Sequence, residues 1–178
     1  MDTNSQFNQI ISVCREIFVK KMEDYGAAWR VLRPSSLTDQ IFIKAKRIRS
    51  FEIKKDRKIQ EDSKSEYIGI VNYSLMALIQ LEKGFVENTA GNEEKLVELY
   101  DYYANEALEL MKKKNHDYDE AWRSMRISSY TDLILMKLQR IKQIEDNEGL
   151  TQISEGIDAN YYDIVNYSVF ALIKLEFE

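Results

Sequence analysis

KMEDYGAAWRVLRPSSLTDQIFIKAKRIRSFE, residues 21–52, returns as KNHDYDEAWRSMRISSYTDLILMKLQRIKQIE, residues 114–145, with 16 of 32 positions identical in an ungapped alignment. Unrelated stretches do not match that well by chance, so the chain is a tandem duplication. A second match follows, Ile70–Glu82 with Ile164–Glu176, at 10 of 13 positions and with one inserted residue upstream. Positions kept in both copies serve as an internal comparison, which bears on architecture and on chemistry.

Outward from the first copy, Phe7, Ile10, Ile11, Cys14, Ile17 and Phe18 recur at helical spacing and predict a helix over about residues 5–22. Asp24-Tyr25-Gly26 breaks it, Ala27–Leu32 adds a short turn, and Pro34 forces a boundary. Ser36 followed by Asp39 reads as an N-cap with a carboxylate in the first turn. A second helix is expected from Leu37 to about residue 59, a charged connection over Asp56–Lys64, and a third helix over Glu66–Lys83. The run Ile70–Ile79 is apolar on most sides, which marks a buried central helix. Gly84–Asn92 links the halves. In the second copy Tyr100, Tyr103, Ala104, Ala107 and Met111 carry the fourth helix, Ser129 caps a fifth running to Asp146, and Tyr161–Glu176 forms the sixth. The expected fold is all-α: two tandem three-helix repeats, residues 1–90 and 91–178, packed about a pseudo-twofold axis because each alone has too small a core.

Composition agrees with that reading. In 178 residues there are 6 Gly and 1 Pro, which favours long uninterrupted helices. Cys14 is the single cysteine, excluding an internal disulfide and pointing to a reducing, cytoplasmic setting. It sits on an apolar stripe and has Ala107 as its counterpart, so it reads as an inert core thiol. No apolar run reaches about 18 residues, so no membrane span is expected. The net charge of −5 disfavours broad binding to a nucleic-acid backbone. That average divides into +3 for residues 1–90 and −8 for the remainder. A homo-oligomer is compatible with the composition.

The duplication also sorts the polar residues. The second helix keeps Asp39/Asp132, Lys44/Lys137, Arg47/Arg140 and Glu52/Glu145. At about 100° per residue, Leu37, Ile41, Ile48 and Phe51 form one stripe and Lys44 falls inside it. Lys137 falls likewise among Tyr130, Ile134, Ile141 and Ile144. An inward lysine needs a counter-charge: an acid of the fold or a bound anion. Arg47 and Arg140 follow one turn later, near enough to share that anion. The third helix keeps Asn72/Asn166, with Gly69 one turn earlier in the first copy and Asp163 in the second. Asp163 and Asn166 share a face and, with Asp132, make a candidate Mg²⁺ site. The block after the first helix keeps Asp24/Asp117, Tyr25/Tyr118, Trp29/Trp122, Arg30/Arg123 and Arg33/Arg126. These serve either as wedges between helices or for stacking and phosphate contact. His116, the single histidine, has Glu23 as its counterpart and reads as a surface residue. No Gly-rich phosphate loop, Cys/His metal cluster or nucleophile elbow is present, and no catalytic base is identified.

The pattern K-x-x-DYG-x-AWR, SSLTDQI, KAKRI and GIVNYS-x-x-AL resembles the nucleotide modification associated domain 1 family, once per repeat and over nearly the whole chain. The resemblance implies an association with modified nucleotides. A weaker resemblance, in Asp163-Ile-Val-Asn166, is to the all-α nucleoside triphosphate pyrophosphohydrolases of the MazG type. Those enzymes carry an acidic pair on the second helix where this chain has Lys44-x-x-Arg47 and Lys137-x-x-Arg140. Three expectations follow. The first is a module binding a nucleotide or modified nucleotide through the paired Lys/Arg, with Trp29 or Trp122 near the base. The second is a Mg²⁺-dependent hydrolase in which Asp117, Asp132 and Asp163 face the cations. The third is a structural protein in which the inward lysines only meet acids of the fold, Glu52, Glu145 or an aspartate.

Overall fold

The computed structural model describes residues 1–54 and 59–178. Within them the chain forms six helices: α1 (Thr3–Tyr25), α2 (Pro34–Lys54), α3 (Ile59–Lys83), α4 (Glu93–Tyr118), α5 (Ile127–Asp146) and α6 (Ile157–Phe177). A short 3₁₀ turn precedes α2 (Ala28–Val31) and another precedes α5 (Ala121–Ser124). No strand occurs among the described residues. Helices α2, α3, α6 and α5 close a four-helix ring in that order, each packed on the next, while α1 and α4 pack on each other and against α3 and α6. The two repeats thus exchange equivalent contacts, and their buried residues merge into one hydrophobic cluster.

Local chemistry explains the element boundaries. Asp2 caps α1 by accepting the Ser5 backbone N–H at 2.7 Å. Gly26 ends it with φ of 65° and donates its N–H to Met22 at 2.8 Å, the left-handed stop that glycine adopts without strain. Its counterpart in the second repeat is Asp119, with φ of 48°, followed by Glu120 at 56°, a conformation that costs an L-residue about 1 kcal/mol or more.

Four helix starts differ from the sequence expectation. Helix α2 starts at Pro34 and α5 at Ile127, so Ser36 and Ser129 lie inside the first turn rather than at the N-cap. Proline is pre-set for a first helical position, and the Ser36 and Leu37 N–H groups already reach the Arg33 carbonyl. Helix α3 begins at Ile59 rather than Glu66, so most of the expected charged connection is helical, and residues 55–58 lie outside the described part. Its first turns still carry an inward face, because Ser63, Glu66, Tyr67 and Ile70 are all buried at helical spacing. Helix α6 begins at Ile157, four residues before Tyr161.

Candidate functional site

The inward lysines meet acids on the third helix of their own repeat, but not equivalent ones. Lys137 on α5 pairs with Asp163 on α6 at 2.8 Å, with side chains 10% and 7% exposed. Lys114, from the end of α4, reaches the other oxygen of the same carboxylate, also at 2.8 Å. Burial, the largest influence, pulls the Lys114 ammonium down, but the hydrogen bond and charge of Asp163 outweigh it and leave its pKa raised. One carboxylate therefore sits between two lysines.

In the first repeat the matching position is Gly69, so that carboxylate is missing. A Cβ added there would come within 2.8 Å of Lys44 Cε, which shows that the lysine stem lies in the space a side chain would fill. The Lys44 ammonium turns instead to Glu66, one turn earlier on α3, at 3.3 Å, and Arg47 holds the other oxygen of Glu66 at 2.7 Å. The counterpart of Glu66 is Asn160, so acid and non-acid have changed places between the repeats. Lys44 is 28% exposed, against 10% for Lys137, because it borders open space.

That space is a cavity of about 730 Å³ between α1, the 3₁₀ turn, α2 and α3, within the usual range for small-molecule sites. Lys21, Lys44 and Lys64 ring it, and Trp29, Phe18, Met22, Tyr73 and Met76 supply its apolar wall. Among the described residues no Asp or Glu lines it. Lys64 pairs with Glu176 at 2.9 Å, whereas Lys21 makes no ion pair among the described residues. The indole N–H groups of Trp29 and Trp122 are both buried without a partner, which makes that orphan a property of the repeat rather than of this cavity.

The other retained residues have different surroundings. Asp132 pairs with Arg49 at 2.7 Å and Asp39 with Lys142 at 3.6 Å, equivalent bridges that tie α2 to α5. Glu52 accepts from Thr131 at 3.2 Å, and Thr131 also bonds Tyr67 at 2.6 Å. Glu145 accepts from Thr38 at 3.0 Å, and Thr38 also bonds Tyr161. Half-burial pushes both glutamates above the ordinary carboxylate range, with the threonine hydrogen bonds opposing it. Arg30 donates to the Gly84 carbonyl at 2.6 Å and to Gln80, fastening the 3₁₀ turn to the end of α3. Arg123 donates to Thr3 and Gln6 of α1 at 2.8 and 2.7 Å and lies 4.4 Å from the Trp122 ring centre. Arg140 lines a groove between α5 and the loop before α6, together with Lys137 and Asn160. Asp24, Asp117 and Tyr118 are exposed, as is Tyr25, which edges the cavity.

Of the proposed metal ligands, Asp132 faces Arg49, Asp163 faces two lysines, and the Asn166 amide donates to the Ala107 carbonyl at 3.1 Å. No group of three or more His, Cys, Asp or Glu side chains comes together among the described residues. Cys14 is fully buried and its thiol is pushed up to about 12 by burial, so it is no nucleophile. No described helix is long and apolar enough to cross a membrane.

Three residues that matter here were not singled out from the sequence. Lys21 and Lys114 open the quoted run and are identical in both copies, a signal that was available. Glu66 carried none, since its counterpart is an amide.

The family model described as nucleotide modification associated domain 1 matches residues 21–81 and again 114–175. No curated protein and no solved structure matches the chain.

Proposed function

The chain belongs to the nucleotide modification associated domain 1 family, once in each repeat, and from that premise we propose that it binds a nucleotide, canonical or modified, in the cavity of the first repeat. Lys21 and Lys44 hold the phosphate, and Trp29 lies beside the base. The observation that carries this reading is the lining: an indole and three lysines around about 730 Å³, with no carboxylate among the described lining residues. Such a wall attracts an anion with an apolar, flat part and repels a cation. Arg47 supports the site indirectly, because it holds Glu66 and so limits that acid's hold on Lys44. Mg²⁺-dependent hydrolysis calls for carboxylates around a metal, whereas Asp132 and Asp163 face cations, which favours binding.

Thermal-shift and tryptophan-fluorescence titrations test it, using a nucleoside, its 5′-monophosphate and its 5′-triphosphate, each with and without Mg²⁺. The phosphorylated forms are expected to raise the melting temperature and the nucleoside to do so less. Lys21→Ala removes one charged contact and is expected to weaken binding roughly tenfold without loss of fold, since Lys21 is exposed. Absence of any shift at millimolar concentration, across canonical and modified bases, sinks the proposal.

A further inference from the structure

We infer that the second repeat holds the same site already filled by its own side chains, so that Asp163 and Phe170 stand where the first repeat takes the anionic group and the flat ring of its ligand. This deepens the nucleotide reading above and rests on it.

Two substitutions between the repeats carry the argument. Asp163 replaces Gly69, and its carboxylate lies at 2.8 Å from both Lys114 and Lys137. The counterparts of those lysines, Lys21 and Lys44, border the cavity, where Gly69 brings no carboxylate and Lys44 leans on Glu66 one turn earlier at 3.3 Å. Phe170 replaces Met76, and its ring stacks on Trp122 with centroids 4.3 Å apart and planes 8° from parallel. Trp29 has the flexible, narrower Met76 in that place, and both line the cavity. A carboxylate between two lysines and a ring on an indole are thus present in one repeat as protein. In the other, the same lysines and the same indole border open space.

The filled repeat also describes the ligand. Asp163 and Phe170 are two helical turns apart, about 10 Å along the axis. A molecule replacing both has a charged oxygen at one end and a flat ring at the other, as phosphate and base are placed in a nucleoside 5′-monophosphate. The chain then binds one such ligand, not two, and the second repeat buttresses the first.

Gly69→Asp and Asp163→Gly test this in opposite directions. Gly69→Asp reproduces the filled repeat. The close contact it creates is with the flexible end of Lys44, which Lys137 shows can face an aspartate at this position. Wild type is expected to bind adenosine 5′-monophosphate at a stoichiometry of one by calorimetry. Gly69→Asp is expected to weaken that binding by about 100-fold while melting no lower than wild type. Asp163→Gly is expected to melt lower and to recover in sodium acetate more than in sodium chloride of equal ionic strength, acetate taking the place of the lost carboxylate. Two sites in wild type, or a Gly69→Asp protein that binds as tightly as wild type, overturns the inference while leaving nucleotide binding intact. If Asp163→Gly folds and shows no acetate-specific recovery, the anion cradle itself is refuted. If it does not fold, the Gly69→Asp arm decides. No binding by wild type removes the function proposed above, and the acetate arm still reads the cradle separately.

Discussion

Tyr100→Phe and Phe7→Tyr form a matched pair of perturbations whose signs should be opposite. Asn72 donates its amide to the Cys14 carbonyl at 3.0 Å and accepts from the Tyr100 hydroxyl at 2.7 Å. Its counterpart Asn166 donates equivalently to the Ala107 carbonyl at 3.1 Å, but its side-chain oxygen is buried without a partner. The register explains the difference. Tyr100 of α4 reaches across to α3, and the residue that would reach from α1 to α6 is Phe7, which has no hydroxyl. Tyr100→Phe should therefore leave a second buried amide oxygen unpaired and cost about 1–3 kcal/mol. Phe7→Tyr should pair the existing orphan and gain about 0.5–1.5 kcal/mol, less whatever crowding the fully buried Phe7 site imposes. Urea unfolding followed by circular dichroism reads both as shifts in midpoint at constant slope. If Tyr100→Phe is neutral, the buried hydrogen bond is worth nothing. If Phe7→Tyr destabilises as much as Tyr100→Phe does, the pseudo-twofold account of the orphan is wrong.

Three further outcomes are expected. Lys137→Met should cost about 3–5 kcal/mol in the same assay, because Asp163 is buried and keeps only the half-exposed Lys114, whereas Lys44→Met should cost distinctly less, since Glu66 retains Arg47. Glu52→Gln and Glu145→Gln should each stabilise the protein at neutral pH. Both carboxyls titrate above 4.5 in the fold because burial disfavours their charge, so the wild type regains stability as pH falls through the raised values, and the advantage of the glutamines should vanish near pH 4.5. Asp119→Gly should raise the melting temperature by relieving a left-handed residue, a gain of up to about 1 kcal/mol offset in part by the added freedom of glycine in the unfolded chain; a lower melting temperature would show that the aspartate earns its place by a contact.

The duplication, the six helices and the inward direction of Lys44 and Lys137 were legible from periodicity and from self-comparison. These are properties of one helix or of one alignment, and each needs only local information. Helix boundaries were less legible where solvated charge covered a buried face, as over Ser63 and Glu66 at the start of α3. The purpose of the retained polar residues was not legible at all. Asp39, Asp132, Glu52 and Glu145 look like chemistry in a linear reading, yet each contacts the opposite repeat. Selection for that junction retains them as firmly as selection for a site would.

What the residues determined alone is therefore the repeat, its all-α character and the presence of a lysine that needs an anion. Only the tertiary structure decided which anion. A helix side chain reaches partners on a neighbouring helix whose register depends on packing, and a lysine can find an acid one turn away as readily as one directly opposite. Hence Lys137 takes Asp163, Lys44 falls back on Glu66, and Gly69 leaves a space beside Trp29 that no reading of either copy by itself would place.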